Sequence, residues 1–432
     1  MKYFSTNKQS PFVDFKEATI QGQAPDKGLY FPETIPTVDK NLIVDIENIS
    51  NEDIGFRVLK PYVGNTIPDE NLFQIVSESI SFPIPLVMIS DDIYSLELFH
   101  GPTLAFKDVG ARFMSRCLGF FLKDEKKNVT ILVATSGDTG GAVANGFYNV
   151  DGVEVVILYP SGKVSAVQEQ QLTSLGKNIH ALEVQGNFDD CQQMVKQAFA
   201  DKDINQHLFL SSANSINIAR WLPQQMYYFF AYKQWQDKSA PPVISVPSGN
   251  FGNICAGILA MKSGLPFQHF IAACNKNDVV SIFLETQKFI PKKAEATISN
   301  AMDVGHPSNF TRILEIFKQQ FQELKSNLSA LSVSDEATVE TINSVYSLHQ
   351  YLLDPHGAVG YFALQHYLTK HERQKGIFLE TAHPVKFPIA GAQATGKTIE
   401  MPYDLKQLMQ AEKQSILIKP EYAILKDYLL KG

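Results

Sequence analysis

Short apolar runs recur along this chain, each followed by a stretch with helical spacing, and that alternation leaves few folds open. Val129–Ala134, Val153–Tyr159, Ile179–Val184, Leu208–Ser211, Val243–Val246 and Phe270–Ala273 are mostly β-branched or aliphatic. Runs of that length and composition read as strands buried on both faces, and the segments between them are long enough for crossover helices. Tyr94–Phe99 alternates as a strand does. Asp108–Leu122 places Val109, Phe113, Met114, Cys117, Leu118 and Phe121 on one helical face. Towards the C-terminus a helix is expected at Val339–Leu353 and a strand at Gly376–Leu379. The expected class is α/β, with helices layered on parallel sheets.

The first ninety or so residues differ. Gly22, Pro25, Gly28, Pro32 and Pro36 punctuate the opening, polar helical stretches follow at Asp53–Tyr62 and Asn71–Ser79, and Pro83 and Pro85 close the region. This reads as an N-terminal extension or small domain. A chain of 432 residues has room for it beside two larger units.

Composition excludes whole classes of function. With 44% apolar and 19% charged residues the chain builds cores rather than staying disordered. A net charge of −7 argues against a general nucleic-acid binder, which needs clustered Lys and Arg. The four cysteines form no C-x-x-C, so a reducing, cytoplasmic setting is expected. No signal-peptide run opens the sequence and no stretch approaches the roughly 18 apolar residues of a membrane span, so no membrane partner is expected. No H-E-x-x-H or paired ligand spacing points to a metal.

Four motifs carry chemistry. Gly391-Ala-Gln-Ala-Thr-Gly396-Lys397-Thr398 fits the P-loop pattern. A phosphate-binding P-loop follows a buried strand and opens a helix, whereas Pro384, Pro388 and Pro402 bracket this match, so a surface loop is the expected reading. Ser248-Gly-Asn-Phe-Gly-Asn253 sits between a strand and a helix, where small residues let backbone N–H groups converge on an anion. Thr135-Ser-Gly-Asp-Thr-Gly-Gly141 occupies the same kind of junction. Two such loops favour a doubly anionic ligand, or a ligand with a cofactor. Finally, Lys107 lies between Phe106 and Val109 at the start of a helix. Burial and the positive helix end both lower an amine's pKa, which is how lysine becomes a Schiff-base nucleophile near neutral pH.

A Schiff-base lysine with a phosphate cradle is what pyridoxal 5′-phosphate requires. Glu97-Leu-Phe-His-Gly-Pro-Thr-Leu-Ala-Phe-Lys107-Asp108 resembles the cofactor-lysine segment of the threonine synthases. Thr135–Gly141, Ser212–Arg220, Pro247–Asn253, Thr381–Lys386 and the opening Gln21–Pro32 resemble that family in the same order. The resemblance implies the tryptophan-synthase β-like fold, fold type II, with two α/β domains around one cofactor. The corresponding division is an N-terminal region at 1–90, a large cofactor-binding domain at 91–134 and 241–432, and a small substrate-binding domain at 135–240.

By that resemblance Lys107 carries the cofactor and is the base in catalysis. Gly249, Asn250, Phe251, Gly252 and Asn253 bind the cofactor phosphate, and Thr381 hydrogen-bonds the pyridine nitrogen. Ser136, Gly137 and Thr139 grip the substrate's carboxylate or phosphate. Asn214, Ser215 and Arg220 contact the substrate phosphate, with Lys163 a further candidate. Many relatives carry Asn near the cofactor's phenolic oxygen. Here the position is Asp138, a carboxylate that would repel a phenolate unless a proton is shared. The implied reaction turns O-phospho-L-homoserine and water into L-threonine and phosphate, in a monomer or homodimer. A serine or threonine dehydratase of the same fold is the alternative enzyme. His100 and His383 are read as packed or supporting residues.

Overall fold

The computed structural model describes residues 1–123, 128–396 and 399–431. Two sheets dominate. The larger has the strand order Leu328–Ser332, His269–Cys274, Val243–Pro247, Gly376–Glu380, Ile93–Glu97, Leu86–Met88. All neighbours in it are parallel except the edge pair Leu86–Met88 and Ile93–Glu97. The smaller sheet is wholly parallel, in the order Ser415–Ile418, Ile179–Val184, Val153–Pro160, Val129–Ala134, Phe209–Ser211.

The strands form where the apolar runs predict them. Every residue of Val129–Ala134, Val243–Pro247 and His269–Cys274 is buried, as strands covered by helices on both faces must be. The helix predicted at Asp108–Leu122 begins one residue earlier, at Lys107, and buries the whole predicted stripe. The helix expected at Val339–Leu353 instead runs Asp335–His349, because Ser334 caps it early, its side chain accepting from the Ala337 N–H.

Two strands depart from the division expected from the sequence. Val129–Ala134 pairs with Val153–Pro160 and Phe209–Ser211, so it lies in the smaller sheet and not with the residues before it. Ser415–Ile418 pairs with Ile179–Val184 and also joins the smaller sheet. Buried parallel strands are alike in composition, so pairing partners far apart in the chain decide which sheet takes them.

The N-terminal region packs into the main core. Tyr3–Ser5 pairs antiparallel with Tyr30–Pro32. The Tyr3 hydroxyl donates to the Tyr62 carbonyl at 2.6 Å, and Arg116 Nε meets Glu78 Oε2 at 2.6 Å. Most buried apolar side chains of this region, from Tyr3 to Ile84, belong to the same apolar cluster as helix Lys107–Leu122 and the central strands.

The P-loop match is resolved as a helix end. Gly391–Thr395 lies in the helix Pro388–Thr395, and Gly396, with φ 66°, is its left-handed cap. The expected surface loop is replaced by helix, and neither form opens a helix towards a phosphate. Lys397 and Thr398 lie outside the described residues.

Candidate functional site

Three adjacent parallel strands, Val243–Pro247, Gly376–Glu380 and Ile93–Glu97, end on the same edge of the larger sheet. The Ser248–Phe251 loop, Thr381 and the segment leading to Lys107 follow them. Phe106 N–H donates to the Thr381 carbonyl at 2.9 Å, which fixes Lys107 beside Thr381. The Tyr227 hydroxyl donates to the Phe106 carbonyl, and Arg220 Nη1 donates to the Lys107 carbonyl at 3.2 Å. The smaller sheet contributes the Thr135–Gly141 loop across from this edge.

Lys107 Nζ lies 3.7 Å from Asp138 Oδ2 and 5.2 Å from the centre of the Phe106 ring. Burial lowers its pKa; Asp138 works against this, and Lys386 and Arg220 reinforce it. Asp138 opens the helix Asp138–Phe147. Its Oδ1 accepts from Lys386 Nζ at 2.7 Å and from Gln168 Nε2 at 2.9 Å. Burial disfavours the carboxylate, but Lys386 and Lys107 outweigh it and hold Asp138 well below the usual range. Asp138 is therefore held as a carboxylate paired with Lys386.

The first glycine-rich loop is shaped by its own hydroxyl. Thr135 Oγ1 accepts from the Gly137 N–H at 3.0 Å and the Gly140 N–H at 2.9 Å. Gly137 has φ 136°, and a Cβ there would stand 2.5 Å from Gln168 Cδ. The Gly137 amide is thus already occupied, while Ser136 and Thr139 are half-buried at the loop's surface.

The second loop is built on asparagines. Asn253 Nδ2 donates to the Pro247 carbonyl at 2.9 Å, pinning the turn to its strand. Asn250 Nδ2 donates to Ser215 Oγ at 2.7 Å, and Asn250 Oδ1 accepts from the Ser308 N–H at 2.6 Å. Phe251 takes a left-handed conformation, φ 62°, just before the helix Gly252–Lys262. A Cβ on Gly249 would lie 2.7 Å from Met302 Cα, so glycine is required where the two backbones meet. Among the described residues the N–H groups of Gly249, Asn250, Phe251 and Gly252 have no protein acceptor outside the helix. That is a neutral cradle of spare donors at a helix N-terminus, suited to phosphate.

Two arginines are buried near these elements, Arg312 beside the cradle and Arg220 beside Lys107. Arg312 is saturated: its five donor contacts reach the carbonyls of Tyr30, Ser215 and Ile216 and the Asn309 side chain, and its guanidinium stacks on Trp221 at 4.4 Å. Arg220 is not. Among the described residues it bonds only the Lys107 carbonyl, and its Nε is buried without a partner. Burial pushes its pKa down to about 10. A buried guanidinium with donors to spare suits an incoming anion.

Most residues singled out from the sequence come together here. Lys107, Asp138, Thr381, Arg220, Ser215 and the 249–253 loop are joined by the contacts above. Asn214 is half-buried on the same segment as Ser215. Lys163 is exposed in the turn after Val153–Pro160 and meets none of the others. The Ser215 hydroxyl is taken by Asn250 and Asn309, so it ties its segment to the cradle loop. His100 pairs with Glu97 at 2.7 Å, and His383 Nδ1 accepts from the Val385 N–H. Sequence reasoning missed Lys386, Gln168, Asn309 and Arg312. Lys386 carries the signal that singled out Lys107, a lysine within an apolar stretch.

Family profiles match the chain in three blocks. Residues 2–80 match the threonine synthase N terminus, residues 89–379 the pyridoxal-phosphate dependent enzymes, and residues 357–429 the threonine synthase C-terminal region. The chain is 42% identical to threonine synthase of Escherichia coli K12, covering 100% of this chain and 99% of that one. It is 37% identical to threonine synthase of Saccharomyces cerevisiae, covering 95% and 94%. The E. coli crystal structure superposes with a TM-score of 0.93 at 41% identity, covering 100% of both chains. A pyridoxal-phosphate-bound threonine synthase from Brucella melitensis gives 0.92 at 36% identity, covering 99% and 98%. A tomato threonine deaminase, at 15% identity and a TM-score of 0.55, shares the fold. Likeness over the full length, through the N-terminal region and the shared core alike, shows that the chain belongs to the threonine synthase family of pyridoxal-phosphate-dependent lyases.

Proposed function

We propose that the chain converts O-phospho-L-homoserine and water to L-threonine and inorganic phosphate at Lys107, in the cytoplasm, as a monomer or homodimer. The observation that carries this reading is Arg220, a buried guanidinium with an unpaired Nε whose Nη1 bonds the carbonyl of the reactive lysine itself. A lyase acting on an unphosphorylated amino acid has no need of a spare buried cation there.

The residues present fit pyridoxal phosphate. The spare donors at Gly249–Gly252 suit its phosphate, Lys107 offers an amine whose pKa is lowered by burial, and Thr381 is tied by its carbonyl to the residue before that lysine. When bound, the cofactor supplies the electron sink for a carbanion next to the substrate nitrogen. Lys107 Nζ, as a free amine, takes the proton from the substrate Cα and then works at Cβ. Arg220 holds the phosphate that leaves from Cγ, its planar fork matching two phosphate oxygens. Ser136 and Thr139 offer hydroxyls to the substrate carboxylate. Ser215, fastened to Asn250 and Asn309, keeps the substrate segment in register with the cradle. The net change breaks the Cγ–O bond, places the hydroxyl of water at Cβ and returns a hydrogen to Cγ.

The test is phosphate release from O-phospho-L-homoserine measured beside ammonia release from threonine. The expected result is phosphate release with threonine as product. Arg220→Ala is expected to raise KM for the phosphorylated substrate by about 10- to 100-fold while cofactor affinity changes little. Equal loss of both affinities would refute the role given to Arg220, and ammonia release alone would favour a dehydratase.

A further inference from the structure

Lys386 is fully buried, at 0% side-chain exposure, at the end of the short turn Pro384–Lys386. Its Nζ donates to Asp138 Oδ1 at 2.7 Å and to the Thr103 carbonyl at 2.8 Å. Thr103 belongs to the segment that delivers Lys107, so Lys386 clamps the two walls of the site together. Asp138 also faces Lys107, through its other oxygen, at 3.7 Å. One carboxylate therefore stands between two amines.

A buried carboxylate beside a single lysine would keep that lysine protonated. An ammonium cannot attack a carbonyl or accept a proton. With Lys386 bound, Asp138 is already neutralised, and a proton on Lys107 would add a net positive charge to a desolvated site. We propose that Lys386 is a positioning residue that serves as the permanent counter-ion of Asp138, so that Lys107 is left as the free amine. This rests on the reading of Lys107 as the cofactor lysine.

The other groups facing Lys107 do not supply this balance. Asp108, the next residue, is buried and spends both carboxylate oxygens on the Thr103 N–H and hydroxyl. Arg220 reaches the Lys107 carbonyl and adds positive charge. The Tyr227 hydroxyl is spent on the Phe106 carbonyl. Gln168, the other partner of Asp138, is neutral.

The experiment is a pH titration of the visible absorbance of the full chain loaded with pyridoxal phosphate. The midpoint follows the proton on Lys107 Nζ. In Lys386→Met the midpoint is expected to move up by about one to three pH units, because Asp138 then pairs with Lys107 alone. In Asp138→Asn it is expected to move down, and in the double variant to lie between Asp138→Asn and wild type. Lys386→Arg, which keeps the charge, is expected to stay within about half a unit of wild type. A lysine that only packed the turn would not produce this ordering.

An unshifted or downward-moving midpoint in Lys386→Met overturns the inference. Should Lys386→Met fail to fold, the double variant leaves no unpaired buried carboxylate, and its midpoint must still exceed that of Asp138→Asn. Hydride reduction of the loaded wild type tests the underlying reading separately. Modification of the Lys107 peptide supports it, and an unmodified peptide overturns both.

Discussion

The two glycine-rich loops look interchangeable in sequence and are fastened differently in the fold. The Thr135–Gly141 loop gives two of its amides, those of Gly137 and Gly140, to the Thr135 hydroxyl and projects a carboxylate held between two lysines. The Ser248–Asn253 loop carries no charge, is pinned by asparagine side chains and, among the described residues, leaves four consecutive amides, 249–252, without a protein acceptor. Each sits between a buried strand and a helix, so the difference comes from what fastens the loop. The Thr135 hydroxyl at the start of its turn takes two of the amides that follow it and so interrupts the row of donors. Asparagines that reach out to neighbouring segments leave those amides for a ligand. A glycine-rich strand–helix junction is therefore an anion site only when its own side chains decline its backbone donors.

Removing the charge from the first loop should have the largest effect. Asp138→Asn leaves Lys386 buried without a counter-ion and is expected to cost about 3–5 kcal/mol, read from denaturant unfolding at neutral pH. The same loop sets an acid limb. Because the folded pKa of Asp138 is depressed, its contribution is present above the unfolded value, about 4, and is lost as pH falls through the folded one. Wild type should lose stability steeply on acidification, and Asp138→Asn should lose less. If the two acid limbs coincide, Asp138 is not the charge that distinguishes the loops.

A smaller effect is expected at the second loop. Gly249→Ala sets a Cβ against the Met302 backbone and should push the cradle out of shape by about 1–3 kcal/mol of cofactor affinity, followed by equilibrium binding. Thr135→Val should be the mildest. It removes the acceptor for two amides and is expected to cost about 1–2 kcal/mol of stability, with cofactor affinity little changed. If Thr135→Val instead tightened anion binding at the first loop, the contrast would be one of occupancy, and the two junctions would share a common design.

Local pattern made the strands and helices legible. Helix Lys107–Leu122 and strand Val129–Ala134 sit within a residue of their expected places because the chain's own periodicity determines them. Lys107 could be singled out for a related reason, a lysine close to Phe106 and Val109 at the start of a helix, in a segment that resembles the threonine synthases. What sequence could not supply was partnership across the chain. Lys386 bonds to Thr103, 283 positions away, and Arg312 to Tyr30, 282 positions away. No spacing rule connects such pairs. The charge state of Asp138 depends on one of them, and so could not be read from its neighbours alone. The assignment of Val129–Ala134 and Ser415–Ile418 to the smaller sheet failed to show for the same reason.

The strand Ser415–Ile418 has a consequence for how the molecule is made. It pairs with Ile179–Val184, which leaves the ribosome about 230 residues earlier. At roughly 5–20 residues per second, the smaller sheet waits on the order of 10–50 s with its Ile179–Val184 edge unpaired. During that interval the nascent chain presents an open β-edge, the kind of surface that recruits strands from neighbouring chains. Once Ser415–Ile418 has paired, the open edge of the smaller sheet passes to that strand itself, with Ile416 and Leu417 exposed.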